Sequence, residues 1–135
     1  MNLNNDVSTV RRFRLSEIFI DQYREKEVPW GPIGYVTFKR TYARRLSEFD
    51  PNANGTEEWW QTCRRVVEGM FNMQKRHVFQ LGLEWNDNKA QKTAKEAYDR
   101  LFNLKWTPPG RGLWMMGTKF IEERTAAGLF NCAFR

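Results

Sequence analysis

The spacing of apolar residues predicts that most of this chain is helical. The most regular helix follows a polar loop at residues 50–55, and Thr56 is its predicted N-cap because a threonine hydroxyl can accept a bond from the first turn. Its apolar stripe comprises Trp59, Cys63, Val66, Val67 and Met70. A second stripe, which ends before the prolines at 108 and 109, comprises Ala90, Ala94, Ala97, Tyr98, Leu101 and Phe102.

Another helix is predicted near the N-terminus. Apolar residues recur at helical spacing from Leu15 to Tyr23, and Ser16 is a candidate cap. The helix should end by Val28, because the following proline disfavours helical geometry in the residue before it. Residues 1–14 show little apolar periodicity and are predicted to form a flexible arm.

Two shorter helices are expected elsewhere. Residues 29–34, rich in proline and glycine, should form a turn, and a helix follows from about Phe38. The β-branched and aromatic residues 35–37 are also compatible with an extended start to this segment. The last helix is expected between residues 118 and 126.

The final residues carry a different pattern. Residues 129–134 form a short apolar run, which predicts the opening of a buried strand, and only Arg135 follows. A self-contained domain usually ends on a solvated or capped segment, so this pattern predicts a chain that has been cut off. The predicted organisation is an arm over residues 1–14, a helical region over 15–128 and the start of a strand over 129–135.

Composition and charge limit the class of protein. The chain has 135 residues, of which 41% are hydrophobic and 15% aromatic, and these values suit one globular domain rather than a disordered segment. Its six tryptophans have large apolar side chains that must be buried, either within this chain or against a partner. The net charge of +6 fits either phosphate-bearing partners or a solvated basic surface.

Nothing in the sequence indicates export or membrane insertion. No run approaches the ~18–20 apolar residues that span a bilayer. Residues 1–14 lack the apolar core of a secretory signal. Two cysteines exclude a disulfide-dense secreted scaffold, so a reducing, cytoplasmic setting is expected.

Cys132 is the sharpest candidate for chemistry, because a reactive thiol must be accessible and have thiolate character. From the residues alone, however, a buried strand cysteine is the favoured interpretation. Cys63 lies on an apolar stripe and is predicted to be an inert core thiol. The cysteines form no CxxC motif, and the single histidine, His77, is expected at the surface, so a zinc site or a histidine triad has little support.

Two basic features are compatible with phosphate binding, although structural roles are favoured for both. Residues 110–112, Gly-Arg-Gly, resemble a turn that exposes backbone amides to an anion, but lack the P-loop and dinucleotide patterns. Arg40, Arg44 and Arg45 lie at helical spacing among aromatic residues. Such a face either binds nucleic acid or covers an aromatic surface with charge.

Several short motifs follow one another along the chain. They are Pro-Trp-Gly-Pro-x-Gly-x-Val at 29–36, Phe-Lys-Arg-Thr-Tyr-Ala-Arg-Arg-Leu at 38–46, Thr-Glu-Glu-Trp at 56–59, Arg-Val-Val-Glu-Gly at 65–69, Pro-Gly-Arg-x-Leu-Trp at 109–114, Gly-Thr at 117–118 and Asn-Cys at 131–132. Taken in order, they resemble the N-terminus of class II ribonucleotide reductases, in the monomeric, adenosylcobalamin-dependent ribonucleoside triphosphate reductase branch. The resemblance covers about residues 15–135.

The resemblance implies a helical N-terminal region that packs against a ten-stranded α/β barrel, whose first strand would begin at Cys132. It also implies that Cys132 is one of two cysteines that reduce the ribose and become a disulfide, later re-reduced by thioredoxin or a similar dithiol. Adenosylcobalamin would supply the radical for thiyl-radical chemistry on ribonucleoside triphosphates, and would bind mainly outside this chain.

Much of the family's machinery would lie beyond residue 135. The resemblance therefore implies a part of a reductase that is inactive alone and needs the remaining barrel, whether in the same gene product or on a separate chain. Two alternatives stay open. One is a non-catalytic helical interaction or remnant protein, and the other, less favoured, is a basic nucleic-acid-binding module.

Overall fold

The computed structural model describes residues 10–123. Within that range the chain is mainly helical, as predicted, and forms no strand; one isolated antiparallel bridge pairs Arg45 with Thr56. Residues 124–135, and with them the predicted strand, lie outside the described residues. The helices are α1 (Glu17–Asp21), α2 (Pro32–Thr41), α3 (Trp59–Gln80), α4 (Asp87–Phe102), α5 (Gly110–Met115) and α6 (Lys119–Glu123), with a 3-10 helix at Leu46–Glu48.

The core lies where α3 packs against α4. Both predicted apolar stripes face this core. In the α3 stripe every member is buried except Met70, which is half-buried and packs against the core. The fully or nearly fully buried members of α4 are Ala90, Ala94, Tyr98, Leu101 and Phe102. The periodicity of the sequence therefore predicted correctly which faces of the two helices meet.

Hydrogen bonds from buried aromatic side chains fix how these two helices pack. The Trp59 indole nitrogen donates to the Phe102 carbonyl at 3.0 Å. The Tyr98 hydroxyl donates to the Trp60 carbonyl, also at 3.0 Å. An aromatic ring with a polar tip can be buried at low cost only if that tip finds a partner, so each bond links one end of α4 to one position on α3.

The N-terminal segment enters the core earlier than the sequence predicts. Phe13, assigned above to the flexible arm, is only 2% exposed and stacks on Phe71 with ring centroids 5.3 Å apart. The arm prediction is therefore wrong for Phe13. Burial of a large aromatic ring is favourable in free energy even where the surrounding sequence shows no apolar periodicity. Residues 1–9 lie outside the described residues.

The first two helices differ from their predicted bounds. Ser16 precedes α1, but its side chain makes no capping bond, and the helix ends after only five residues at Asp21. Ile18, a member of the predicted stripe, is 79% exposed. Helix α2 begins at Pro32 instead of Phe38, because a proline suits the first turn of a helix, where its missing N–H has no partner to lose.

The start of α3 also corrects a prediction. Thr56 is not the N-cap; it lies in the bridge to Arg45, and Glu58 occupies the cap position. There the Gln61 side-chain oxygen accepts a hydrogen bond from the Glu58 backbone N–H at 2.7 Å. This bond satisfies the backbone N–H of the cap residue, which has no partner within the helix.

The last described helices follow α4 closely. Residues 110–112, expected to form a turn, are the first residues of α5. Helix α6 begins one residue after Thr118, in agreement with the prediction, while the predicted end near residue 126 lies outside the described residues. In the part of the chain that the structure describes, no helix is long and apolar enough to cross a membrane.

Two glycines allow the segment between α5 and α6 to touch α3 backbone to backbone. Gly117 has a φ of +79°, and a Cβ placed on it would lie 2.5 Å from the Arg65 carbonyl oxygen. A Cβ on Gly69 would lie 2.7 Å from the Gly117 Cα atom. Both distances are shorter than any real Cβ contact, so neither position can accept a side chain without a shift of the backbone.

This contact yields a prediction with a built-in control. Gly82 also has a positive φ, +70°, but a Cβ there would meet nothing within 4 Å. Gly82→Ala should lower the free energy of unfolding by about 1–2 kcal/mol, the cost of a left-handed alanine. Gly117→Ala should cost about 1–3 kcal/mol more, because steric overlap is added. Urea denaturation of both variants measures the difference; equal losses would show that the close contact does not form.

Candidate functional site

A buried ion pair joins α3 to the segments on either side of it. Glu57 is 2% exposed and Arg65 is 8% exposed, and the Arg65 Nε atom lies 3.0 Å from a Glu57 carboxylate oxygen. The same guanidinium donates to the Leu113 carbonyl at 2.7 Å and to the Met116 carbonyl at 2.6 Å. One arginine therefore holds a carboxylate before α3 and two carbonyls of the α5 region.

The Glu57 carboxylate has further partners. Its Oε1 atom accepts hydrogen bonds from the Arg44 backbone N–H at 2.9 Å and from the Thr62 hydroxyl at 3.1 Å. A buried ion pair loses its hydration, and it is tolerated only when the remaining donors and acceptors are also satisfied. Glu57 meets that condition through side chains of α3 and the backbone of the loop after α2.

A second acidic residue, Glu68, binds the N-terminal segment to α3. Its carboxylate accepts the Leu15 backbone N–H at 3.0 Å and the Arg64 Nε–H at 2.9 Å. Arg64 also pairs with Glu17 of α1. The hydrogen bond from Arg64 lowers the pKa of the Glu17 carboxyl group, because it favours the charged form.

These two ion-pair groups form the floor of a cleft of ≈ 840 Å³. Leu46, Phe49 and Pro51 line one side of it, and the segment from Gly117 to Glu122 contributes others of its lining residues. Phe49 and Phe120 are 48% and 52% exposed, so their rings present apolar surface to the solvent. The cleft thus combines apolar rings with a charged floor.

The cleft keeps a positive excess, because more basic than acidic side chains line it. Most of the basic groups are engaged in ion pairs, such as Arg12 with Glu122 and Arg44 with Glu48, each at 2.6 Å. Arg14 reaches Glu68 only at 3.5 Å and has a side chain that is 65% exposed. The excess charge therefore lies at the solvent-facing edge and not in the floor.

The chain has two cysteines, and the structure describes Cys63. Cys132 lies outside the described residues, and its predicted role is untested. Cys63 is fully buried, and burial raises the pKa of its thiol well above the usual value. The predicted core position of this thiol is confirmed, and the raised pKa disfavours the thiolate, which is the reactive form.

The single histidine and the basic residues are placed as follows. His77 is exposed on α3, as predicted. Arg40 lies on α2, whereas Arg44 and Arg45 follow the end of that helix, so the three do not form one helical face. Arg44 binds Glu48 and lies over the Trp114 ring at 4.8 Å, which agrees with the structural role favoured from sequence.

Within residues 10–123 no group of three or more His, Cys, Asp or Glu side chains could hold a metal ion.

Sequence reasoning missed the buried ion-pair groups. With Thr56 as the predicted N-cap, Glu57 would belong to the first turn of the helix, and no pattern in the sequence predicts that Arg65 is buried. A signal was nevertheless present: Thr62, Arg65, Gly69 and Asn72 recur at helical spacing beside the apolar stripe, and all four are buried. A polar row next to an apolar one indicates a helix that is covered on more than one side.

Comparison with known proteins gives the class to which this fold belongs. The family model of the ribonucleotide reductase alpha domain matches residues 15–118. A crystal structure of a B-12-dependent (class II) ribonucleotide reductase superposes with a TM-score of 0.73 at 35% sequence identity, over 89% of this chain and 16% of that chain. This chain therefore belongs to the ribonucleotide reductase alpha-domain family. The part of the reductases that it matches is their N-terminal segment.

Curated relatives narrow the comparison. The chain is 41% identical to a probable adenosylcobalamin-dependent ribonucleoside-triphosphate reductase of Dictyostelium discoideum, over 93% of this chain and 16% of the relative. It is 37% identical to the adenosylcobalamin-dependent ribonucleoside-triphosphate reductase of Euglena gracilis, over 98% of this chain and 18% of the relative. It is 40% identical to the adenosylcobalamin-dependent ribonucleoside-triphosphate reductase of Lactobacillus leichmannii, over 89% of this chain and 16% of the relative. The chain thus spans less than a fifth of the length of these relatives.

The buried ion pair can be tested by removing one partner. Arg65→Ala should lower the free energy of unfolding by about 3–5 kcal/mol, because it leaves the Glu57 charge buried without its cation. The control is Arg24→Ala, which removes an exposed pair with Asp21 and a contact with the Trp60 ring. That variant should lose about 1 kcal/mol or less in urea denaturation. Similar losses for the two variants would contradict a buried Arg65.

The state of Cys63 can be tested by thiol labelling. In a Cys132→Ser variant Cys63 is the only thiol, and a disulfide reagent should fail to label it at mildly alkaline pH until urea unfolds the chain. Burial prevents access and also disfavours the thiolate. Rapid labelling of the folded variant would contradict the buried position.

Proposed function

We propose that this chain is the N-terminal part of an adenosylcobalamin-dependent ribonucleoside-triphosphate reductase. The observation that carries the proposal is the fit of its helical fold to a class II reductase, with a TM-score of 0.73 at 35% identity. The sequence supports it independently, because the family model of the ribonucleotide reductase alpha domain matches residues 15–118. A helical domain of unrelated function would not be expected to match both.

In this proposal Cys132 is a reducing thiol, and the residues near it open the first strand of a ten-stranded barrel supplied by the remaining polypeptide. Replacing the ribose 2′-hydroxyl by hydrogen requires two electrons and two protons. Cys132 and a second cysteine outside this chain provide them, the hydroxyl leaves as water, and the two sulfurs close a disulfide. Thioredoxin or a similar dithiol then reduces that disulfide by exchange.

Adenosylcobalamin supplies the radical that starts such a reaction when it is bound. On the family resemblance, we place this cofactor mainly on the remaining polypeptide. The substrates are ribonucleoside triphosphates, and the setting is the reducing cytoplasm.

The contribution of residues 10–123 is structural in this proposal. The Glu57–Arg65 pair and the Gly69–Gly117 contact hold the segment after α5 against α3, and the chain continues from there towards Cys132. With one of two reducing thiols, the isolated chain cannot complete a turnover. It is expected to be active only with the barrel, in the same polypeptide or on a separate chain.

The proposal is tested with a chimera in which residues 1–135 replace the matching N-terminal segment of the Dictyostelium discoideum relative. The chimera should form deoxyribonucleotides from ribonucleoside triphosphates only when adenosylcobalamin and a dithiol are present. Cys132→Ser should abolish this activity, because one of the two reducing thiols is lost.

The matched control is Cys63→Ala, which removes the buried thiol of α3. It should leave turnover within a few-fold of the unmodified chimera, with any stability loss visible as a lower urea midpoint. Full activity of Cys132→Ser would refute the assigned role. A folded chimera without cofactor-dependent activity would favour the remnant or interaction protein instead.

A further inference from the structure

An ion pair joins the N-terminal segment to the last described helix, between residues that are 110 positions apart in the sequence. The Arg12 Nη1 atom donates to one carboxylate oxygen of Glu122 at 2.8 Å, and the Nη2 atom lies 2.6 Å from the other oxygen. Two parallel contacts between an arginine fork and a carboxylate are the strong form of such a pair. The Glu122 side chain is only 18% exposed, so loss of Arg12 would leave a carboxylate that water reaches poorly.

The segment that carries Arg12 is held in place independently of this pair. Phe13 beside it is buried in the core, and the Leu15 N–H donates to the Glu68 carboxylate of α3 at 3.0 Å. An ordinary surface ion pair contributes little, because two flexible groups must be ordered to form it. Here the core has already ordered the backbone next to Arg12, so less entropy is lost when the pair forms.

Among the described residues, helix α6 has few other contacts that fix its position. It has five residues, far fewer than the ~12–15 that an isolated helix needs to be even marginally stable in water. Ile121 is buried, but it does not belong to the core cluster around α3 and α4. The placement of α6 therefore depends on the Gly117 turn before it and on the bond from Arg12.

We infer that Arg12 is a positioning residue that holds α6 in place and thereby fixes the start of the segment that leads to Cys132. The inference rests on the proposed function, in which Cys132 is a reducing thiol. Glu122 precedes Cys132 by ten residues in the sequence, and ten residues reach at most about 36 Å. An anchored start restricts where that thiol can lie, which favours its alignment with the ribose.

Hydrogen exchange in the full 135-residue chain tests whether Arg12 holds α6. Arg12→Gln should lower the protection of the amides of residues 117–123 several-fold, while the amides of α4 keep their protection. Arg11→Gln is the matched control, because Arg11 is exposed, adjacent in sequence and without an ion pair among the described residues. Unchanged protection of α6 in Arg12→Gln, or an equal loss in Arg11→Gln, would overturn the inference.

The effect on the reaction is tested by exchanging the two charges in the chimera described above. Arg12→Glu should lower kcat by about tenfold and leave KM unchanged, because it disturbs the alignment of Cys132 and not the binding of the nucleotide. Combining it with Glu122→Arg should restore kcat to within a few-fold, since the pair forms again with its charges reversed. A pair that only stabilises the fold would leave kcat per folded molecule unchanged, and that result, or no rescue, would contradict the positioning role.

The two proposals fail separately. An active chimera whose kcat does not respond to Arg12→Glu refutes the positioning role and leaves the proposed function intact. A folded chimera without cofactor-dependent activity refutes the proposed function and with it the link to Cys132. In that case hydrogen exchange in the chain still decides whether Arg12 holds α6.

Discussion

The buried pair between Glu57 and Arg65 is the interaction on which the rest of this fold depends. An arginine guanidinium carries a rigid fork of donors, and here that fork binds a carboxylate and the carbonyls of Leu113 and Met116 together. A lysine has a single point of charge and could not reach all three acceptors in the same geometry. Removing water from both charges is costly, so the pair is stable only because every group around it is bound.

The same constraint explains the two glycines beside it. The Arg65 side chain can reach the end of α5 only if the backbone after α5 approaches α3 closely, and Gly69 and Gly117 provide that space. The positive φ of Gly117 turns the chain at this point so that α6 starts next to the cleft. Ion pair, glycine contact and cleft are therefore parts of one arrangement.

The basic character of the chain has a structural explanation for much of its surface. Four arginines lie within 4 Å of carboxylates: Arg12, Arg44, Arg64 and Arg65. The pairs of Arg12 with Glu122 and of Arg64 with Glu17 link segments that are distant in sequence. Such bonds order the chain around α3, whereas nucleic-acid binding would require cations that are free to contact phosphate. This use of charge agrees with membership of a reductase family better than with a basic binding module.

The sequence by itself determined that α3 and α4 are helices and which of their faces are buried, because helical periodicity is a local property and apolar residues at that spacing must face a core. It also identified the family through ordered motifs, and the buried position of Cys63 from its place on an apolar stripe. Only the tertiary structure decided which polar residues are buried. The partners of Glu57, Arg65 and Glu68 lie up to 54 residues away in the chain, and no local pattern specifies such a contact. The burial of Phe13, the cap at Glu58 and the cleft likewise depend on segments that meet only after the chain has folded.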